Sequence, residues 1–169
     1  MKYIDRFSLL MCMPIVLVSC ADLETRNSSI GRVFSNNESS SFSISMEEDF
    51  MNKTISLLID SEPIDVSWED NTSVSALKKR AEDGLTIKMR KYGGFEQVGS
   101  LGTSLPSNDV NMKTEPGDIC LYSSNQIVVF YGSNTCDYTK LGHINLSIEE
   151  LQSLLGEEAV TLVLELKDK

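Results

Sequence analysis

Residues 127–131, Ile127-Val128-Val129-Phe130-Tyr131, are apolar at five consecutive positions, and that run limits the architectures open to the chain more than any other feature. A strand with one face in water alternates apolar and polar residues. A β-branched and aromatic run without alternation must be covered on both sides. Residues 117–122 form a similar run behind the Pro116-Gly117 turn, and Ser123-Ser124-Asn125 separates the two. Two such runs joined by small polar residues read as a hairpin. This hairpin belongs inside a barrel or a sandwich.

The flanking chain supplies partners for such a core. Residues 53–59 and 63–68 read as strands across Asp60-Ser61-Glu62, and residues 85–90 alternate as a strand after Gly84. Residues 138–144 and 160–166 complete the set, the last alternating Val160, Leu162, Leu164 and Leu166 with Thr161, Val163 and Glu165. Two short helices interrupt the strands. Asn71-Thr72-Ser73 offers caps ahead of Val74, Leu77 and Ala81, whose spacing lays an apolar stripe on one face. Ser147-Ile148-Glu149-Glu150 is a capping box, opening a helix that should stop at Gly156. Residues 92–102 hold Gly93-Gly94, Gly99 and Gly102 and read as tight turns or bulges around Phe95; they lack the Gly-Lys-Ser/Thr ending of a phosphate loop. Residues 105–114 read as a polar connection. About eight strands and two helices make a mainly β pattern, which predicts a closed eight-stranded β-barrel with two short capping helices.

Charge narrows the partners. A formal net charge of −10 and a pI near 4.5 argue against nucleic acid, whose phosphates such a surface would repel. The acidic residues are dispersed rather than set at ligand spacing, so neither a metal nor a cofactor is expected. His143, the single histidine, lies beside Ile144 in a strand and reads as a packed or surface residue rather than a base. No serine or cysteine sits in a nucleophile motif, so a hydrolytic triad is not expected.

The N-terminus carries an address. Lys2 and Arg6 make a charged start, and residues 9–18 are an apolar run too short to span a bilayer comfortably. The run ends in Leu17-Val18-Ser19-Cys20, which resembles the bacterial lipoprotein box, with Cys20 as the lipidated residue and new N-terminus. A plain signal peptide, or a membrane helix with an incidental cysteine, is the alternative. Ala21 after Cys20 favours outer-membrane sorting, which places the protein on the cell envelope with the membrane as partner through Cys20. The chain then divides into a signal peptide at 1–19, a flexible Ser/Asn-rich tether at 20–52 and a barrel domain at 53–169. Cys12 leaves with the signal peptide. Cys120 and Cys136 remain in an oxidising compartment, either as a disulfide or as a buried strand cysteine and an unrelated loop cysteine.

The domain resembles the bacterial cyclophilin-like domain proteins, a set distinct from the true prolyl isomerases. The resemblance rests on Tyr92-Gly93-Gly94-Phe95-Glu96, Leu105-Pro106, Pro116-Gly117-Asp118-Ile119, Leu121-Tyr122, Phe130-Tyr131-Gly132-Ser133-Asn134 and Tyr138-Thr139-x-Leu141-Gly142-x-Ile144. It implies a cyclophilin-type eight-stranded barrel. Relatives carry Trp where this chain has Cys136. True cyclophilins carry Arg-x-x-Pro-Gly-Phe-Met-x-Gln, and here Arg90 and Phe95 fall at the matching spacing while Glu96 replaces Met and Val98 replaces Gln. Arg90 and Phe95 are therefore the candidate catalytic pair, with a strand-end Arg and a core Phe as the bland reading.

A pocket, where one exists, is expected among Arg90, Tyr92, Phe95, Tyr131, Asn134 and Tyr138, taking a peptide or small molecule. The leading expectation is a membrane-anchored binding module, the alternative a divergent peptidyl-prolyl isomerase of the envelope, and a third option a structural lipoprotein with no ligand. Glu96 is expected to oppose the field of Arg90 and to pair with it. The address has a direct check: Cys20→Ala should leave the precursor unprocessed or release the protein from the membrane fraction. Unchanged lipid labelling and fractionation of that variant would defeat it.

Overall fold

The computed structural model describes residues 48–169. The expected signal peptide, the lipidation site Cys20 and most of the tether lie outside the described residues. Residues 48–51, at the end of the expected tether, are helical. Among the described residues there are eleven strands and two complete helices. In chain order they are β1 (Lys53–Ile59), β2 (Glu62–Ile64), β3 (Val66–Trp68), α1 (Thr72–Arg80), β4 (Leu85–Lys88), β5 (Arg90–Tyr92) and β6 (Glu96–Ser100). There follow β7 (Val110–Lys113), β8 (Asp118–Tyr122), β9 (Gln126–Phe130), β10 (Thr135–Ile144), α2 (Ile148–Leu155) and β11 (Thr161–Asp168).

The fold is mainly β, but the strands do not close into one barrel. They form a four-stranded sheet, β2-β1-β11-β4, and a seven-stranded sheet, β3-β10-β8-β9-β6-β5, with β7 also pairing β10. The difference from the expected closed eight-stranded barrel shows at two points in the chain. Two stretches that read as single strands each break where the chain changes sheets. Asp65 breaks the run 63–68, so that β2 pairs β1 while β3 pairs β10. Met89 breaks the run 85–90, so that β4 pairs β11 while β5, which starts at Arg90, pairs β6.

The central hairpin forms as its sequence requires. β8 and β9 pair from Ile119↔Val129 to Tyr122↔Gln126. The connection has positive φ at Ser123 and Ser124 (50° and 62°), and Asn125 N–H donates to Tyr122 C=O at 3.3 Å. Positive φ at both turn centres matches the twist of paired strands. Ile119, Leu121, Ile127 and Val129 enter the main core, while Cys120, Val128 and Phe130 point the other way into a second cluster with Tyr138. Both faces are covered.

The main core draws Ile55, Leu57 and Ile59 from β1 and Leu162 and Leu164 from β11, which meet as Leu57↔Leu164 and Ile59↔Leu162 pairs. Leu77 and Ala81 of the α1 region, and Leu151 and Leu155 of α2, complete it. Asn71 caps α1 by accepting from Val74 N–H at 2.9 Å, and the Ser147–Glu150 box opens α2, which ends at the Gly156 cap. The glycine-rich stretch is not only turns. It contains β6, held between β9 and β5. Gly99 lets β6 cross the Met89 corner: a Cβ there would overlap Met89 Sδ and stand 2.6 Å from Ile87 Cγ2. Both neighbours are fully buried and cannot swing out. Gly99→Ala should therefore lose about 1–3 kcal/mol of stability through overpacking, read as a lower denaturant midpoint with unchanged slope. A midpoint equal to the wild type's would show that this corner yields freely.

Candidate functional site

Strand register alone assembles one side of the seven-stranded sheet. Residues directly opposite in paired strands share a face, as do alternate residues along one strand. Tyr92 lies opposite Glu96, Arg90 opposite Val98, Val98 opposite Val128, and Tyr122 opposite Gln126. On this outer face is a cleft of about 420 Å³. Tyr92 of β5, Glu96 and Val98 of β6, and Gln126 and Val128 of β9 line one half. Tyr122 of β8, Cys136 and Tyr138 of β10, and Asn134 just before β10 line the other. Beneath it lies the second apolar cluster, where the Tyr138 ring meets Phe130 edge-on at 5.5 Å and Tyr122 at 5.7 Å.

Size does not single this cleft out, since three others measure about 400, 400 and 460 Å³. Chemistry does. Glu96 is 5% exposed, and its Oε2 has no hydrogen-bond partner among the described residues. Burial pushes its carboxyl up from 4.5 to about 7. Burial, then the nearby Glu96, push the Tyr138 hydroxyl up to about 12, against the opposing effect of Asn134, whose Nδ2 donates to Tyr138 Oη at 3.0 Å. An orphaned acid in a cleft is costly to the fold, which makes it a candidate for function.

The expected site residues separate. Tyr92, Asn134 and Tyr138 line the cleft. Arg90 shares the sheet face, opposite Val98, but it is exposed on the edge strand and outside the lining. It makes no ion pair with Glu96, contrary to expectation. Phe95 sits in the β5–β6 turn, packed on the second cluster, and its C=O accepts from Tyr131 N–H and Gly132 N–H at 3.0 and 2.9 Å. It anchors the turn. Tyr131 enters the main core instead and leaves its hydroxyl unpaired there. Arg90 and Phe95 do not converge on the cleft.

Glu96, Val98, Tyr122, Gln126, Val128 and Cys136 complete the lining without having been expected there. Neither 96–100 nor 126–130 alternates in sequence, and glycines made the first read as turns, so only the strand pairing of β6 with β9 brings these residues to one face. Among the described residues both cysteines are free, with Cys120 buried and Cys136 half-buried. Cys120 pairs with Lys140, so Cys136 lies four residues out of register. That is about 13 Å along a strand, beyond disulfide reach.

His143 serves the frame. Its Nδ1 lies 2.9 Å from Asp118 Oδ1, which also accepts from Lys140 Nζ at 2.8 Å, while Glu115 N–H donates to Oδ2 at 3.0 Å. Burial alone would raise the Asp118 pKa, but these three partners hold it below the usual carboxylate range. Among the described residues no cluster of three acidic, His or Cys side chains could hold a metal.

The family model described as the Cyclophilin-like family matches residues 57–165, from the middle of β1 almost to the end of β11. The chain belongs to the Cyclophilin-like family. No curated protein matches it.

Glu96 also sets a pH dependence for the fold. Its folded pKa lies above its ordinary value, so the neutral form favours folding. The contribution is complete below about pH 4.5, declines as pH rises, and is gone above about 7. Glu96→Gln should therefore stabilise the protein by about 1–3 kcal/mol at pH 8, with the gain closing towards pH 4.5. Denaturant unfolding at the two pH values measures this. A gain that is the same at both would assign it to packing instead.

Proposed function

We propose that the chain is a lipid-anchored binding module of the cell envelope, holding a peptide or small molecule in the outer-face cleft. The anchoring part rests on the Leu17-Val18-Ser19-Cys20 box. The binding part rests on one observation: Glu96 is buried with an oxygen left free in a tyrosine-lined cleft. A cleft of about 420 Å³ is within the range of small-ligand pockets and matches a side chain or small metabolite in size. The run that matches true cyclophilins in spacing, Arg90 to Val98, supplies Tyr92, Glu96 and Val98 to this cleft.

The alternative, a divergent peptidyl-prolyl isomerase, has less support. Rotation about a prolyl bond meets a barrier of about 18–20 kcal/mol, and lowering it takes a donor and an aromatic wall aimed at one amide. Arg90 is exposed on the edge strand and Phe95 packs on the second cluster, and neither lines the cleft.

Cys136 offers a direct readout of occupancy. It lines the cleft half-buried, whereas the Cys120 thiol is fully buried and pushed up to about 12 by burial. Alkylation of the full-length protein in detergent, mapped by mass spectrometry, should therefore modify Cys136 and spare Cys120. Within a library of capped dipeptides and small metabolites, some component should slow Cys136 alkylation several-fold. The same protein should leave Xaa-Pro isomerisation at its background rate. The binding reading falls if no component protects Cys136. Acceleration of isomerisation that vanishes in Arg90→Ala would install the enzyme.

A further inference from the structure

Resting on the binding-module reading, we propose that the cleft recognises an organic ammonium group, its charge set against the Glu96 carboxylate and its carbon substituents against the tyrosine rings. Glu96 is 95% removed from solvent, and its free Oε2 belongs to a residue lining the cleft. Three tyrosines share that lining at graded depths: Tyr138 is 3% exposed, Tyr122 38% and Tyr92 67%. A buried acceptor at the floor with aromatic rings rising to the rim suits a cation that carries apolar substituents.

Other ligand classes fit the same residues less well. An anion would meet a carboxylate with no lysine, arginine or histidine in the lining. A neutral apolar group would leave Glu96 Oε2 unpaired and seal it further from water, which costs more than the contact returns. A bare metal ion needs several hard ligands, and Glu96 is the single carboxylate in the lining. An alkylammonium group needs one acceptor and tolerates apolar walls. The source is either a free small amine or a lysine side chain, and both present the same group.

The groups around Glu96 set the pH profile. Tyr92 faces it from β5, Tyr122 and Cys120 from β8, and Tyr138 and Cys136 from β10, with exposed Arg90 on the same face of β5. Cys120 and Tyr138 are pushed up to about 12, and Tyr131, just after β9, is raised by burial and then by Glu96 itself, so Glu96 governs the profile between pH 5 and 8. A cation selects the carboxylate, so affinity should rise with pH and level off above about 7.

The test uses full-length protein in detergent, titrated by calorimetry with choline, with butylammonium and with Nα-acetyl-lysine methylamide. The neutral isostere of choline, 3,3-dimethylbutan-1-ol, is the control. At least one ammonium probe should bind at pH 8 about tenfold or more tightly than the neutral alcohol, and about tenfold more weakly at pH 6. Glu96→Gln, which is expected to fold at least as well, should abolish that preference, and Tyr122→Ala should weaken binding several-fold. Preference for the lysine derivative over choline and butylammonium would assign the group to a peptide side chain, and the reverse to a free amine. Equal binding of cation and alcohol, a preference that survives Glu96→Gln, or no binding of any ammonium probe would each overturn the inference. Where the ammonium probes fail and a library component still protects Cys136, the binding-module reading stands and only the cation is lost.

Discussion

Two-sided burial of the β8–β9 hairpin is the constraint on which the other features depend. Its inward residues, Ile119, Leu121, Ile127 and Val129, are all fully buried in the main core. Its outward residues, Cys120, Val128 and Phe130, are no more than 2% exposed and need a cover of their own. Each fully buried side chain of this kind contributes about 1.5–3 kcal/mol. The outward cluster is therefore a sizeable part of the stability. Tyr138 of β10 supplies much of that cover, meeting Phe130 edge to face. What the cover leaves open, across β5, β6, β9, β8 and β10, is the cleft.

The second constraint fixes which way β6 faces. Gln97 is fully buried, and its Nε2 donates to Leu155 C=O at 2.9 Å and Glu157 C=O at 2.7 Å. Those carbonyls lie at the C-terminal end of α2, where the helix cannot satisfy its own acceptors. Gln97 thus ties β6 to the helix and must point inward. Side chains alternate along a strand, so Glu96 and Val98 are forced outward to the cleft. A one-residue slip would put Glu96 into the main core and release Gln97 from the helix end. The unfavourable position of Glu96 is held by the two helix-end hydrogen bonds of its neighbour, whose own Oε1 has no partner among the described residues.

Much of the fold was legible because single residues carried single meanings. The unbroken apolar run 127–131 required cover on both faces, the Ser147–Glu150 box opened a helix, and Val160 to Leu166 alternated. The closed barrel failed as an expectation for a reason no local pattern carries. Asp65 and Met89 look like strand interior, yet at each the chain leaves one sheet for the other, a choice made by long-range pairing. The cleft was half legible. Tyr92, Asn134 and Tyr138 were placed through their aromatic and polar character within the motifs of the resemblance, whereas Tyr131, placed the same way, points into the main core. Glu96 was visible as a departure from the isomerase pattern. Its burial was not, because it depends on the inward anchoring of Gln97.

That departure changes what the face can do. In the isomerase arrangement the reacting amide is met by a donor, since a guanidinium hydrogen-bonds the nitrogen as conjugation is lost. Here Glu96 brings an acceptor with a free oxygen, and Arg90 stands outside the lining, exposed on the edge strand. A carboxylate cannot donate to an amide nitrogen, and its charge opposes any build-up of electron density near it. Protonation near pH 7 would restore one donor, but a neutral acid in an apolar cleft lacks the field of a guanidinium. The polarity of the site is thus reversed, from one that presents positive charge to one that receives it. A buried acid kept at a cost to the fold's own stability is therefore the feature that separates the proposed binding module from the proposed isomerase.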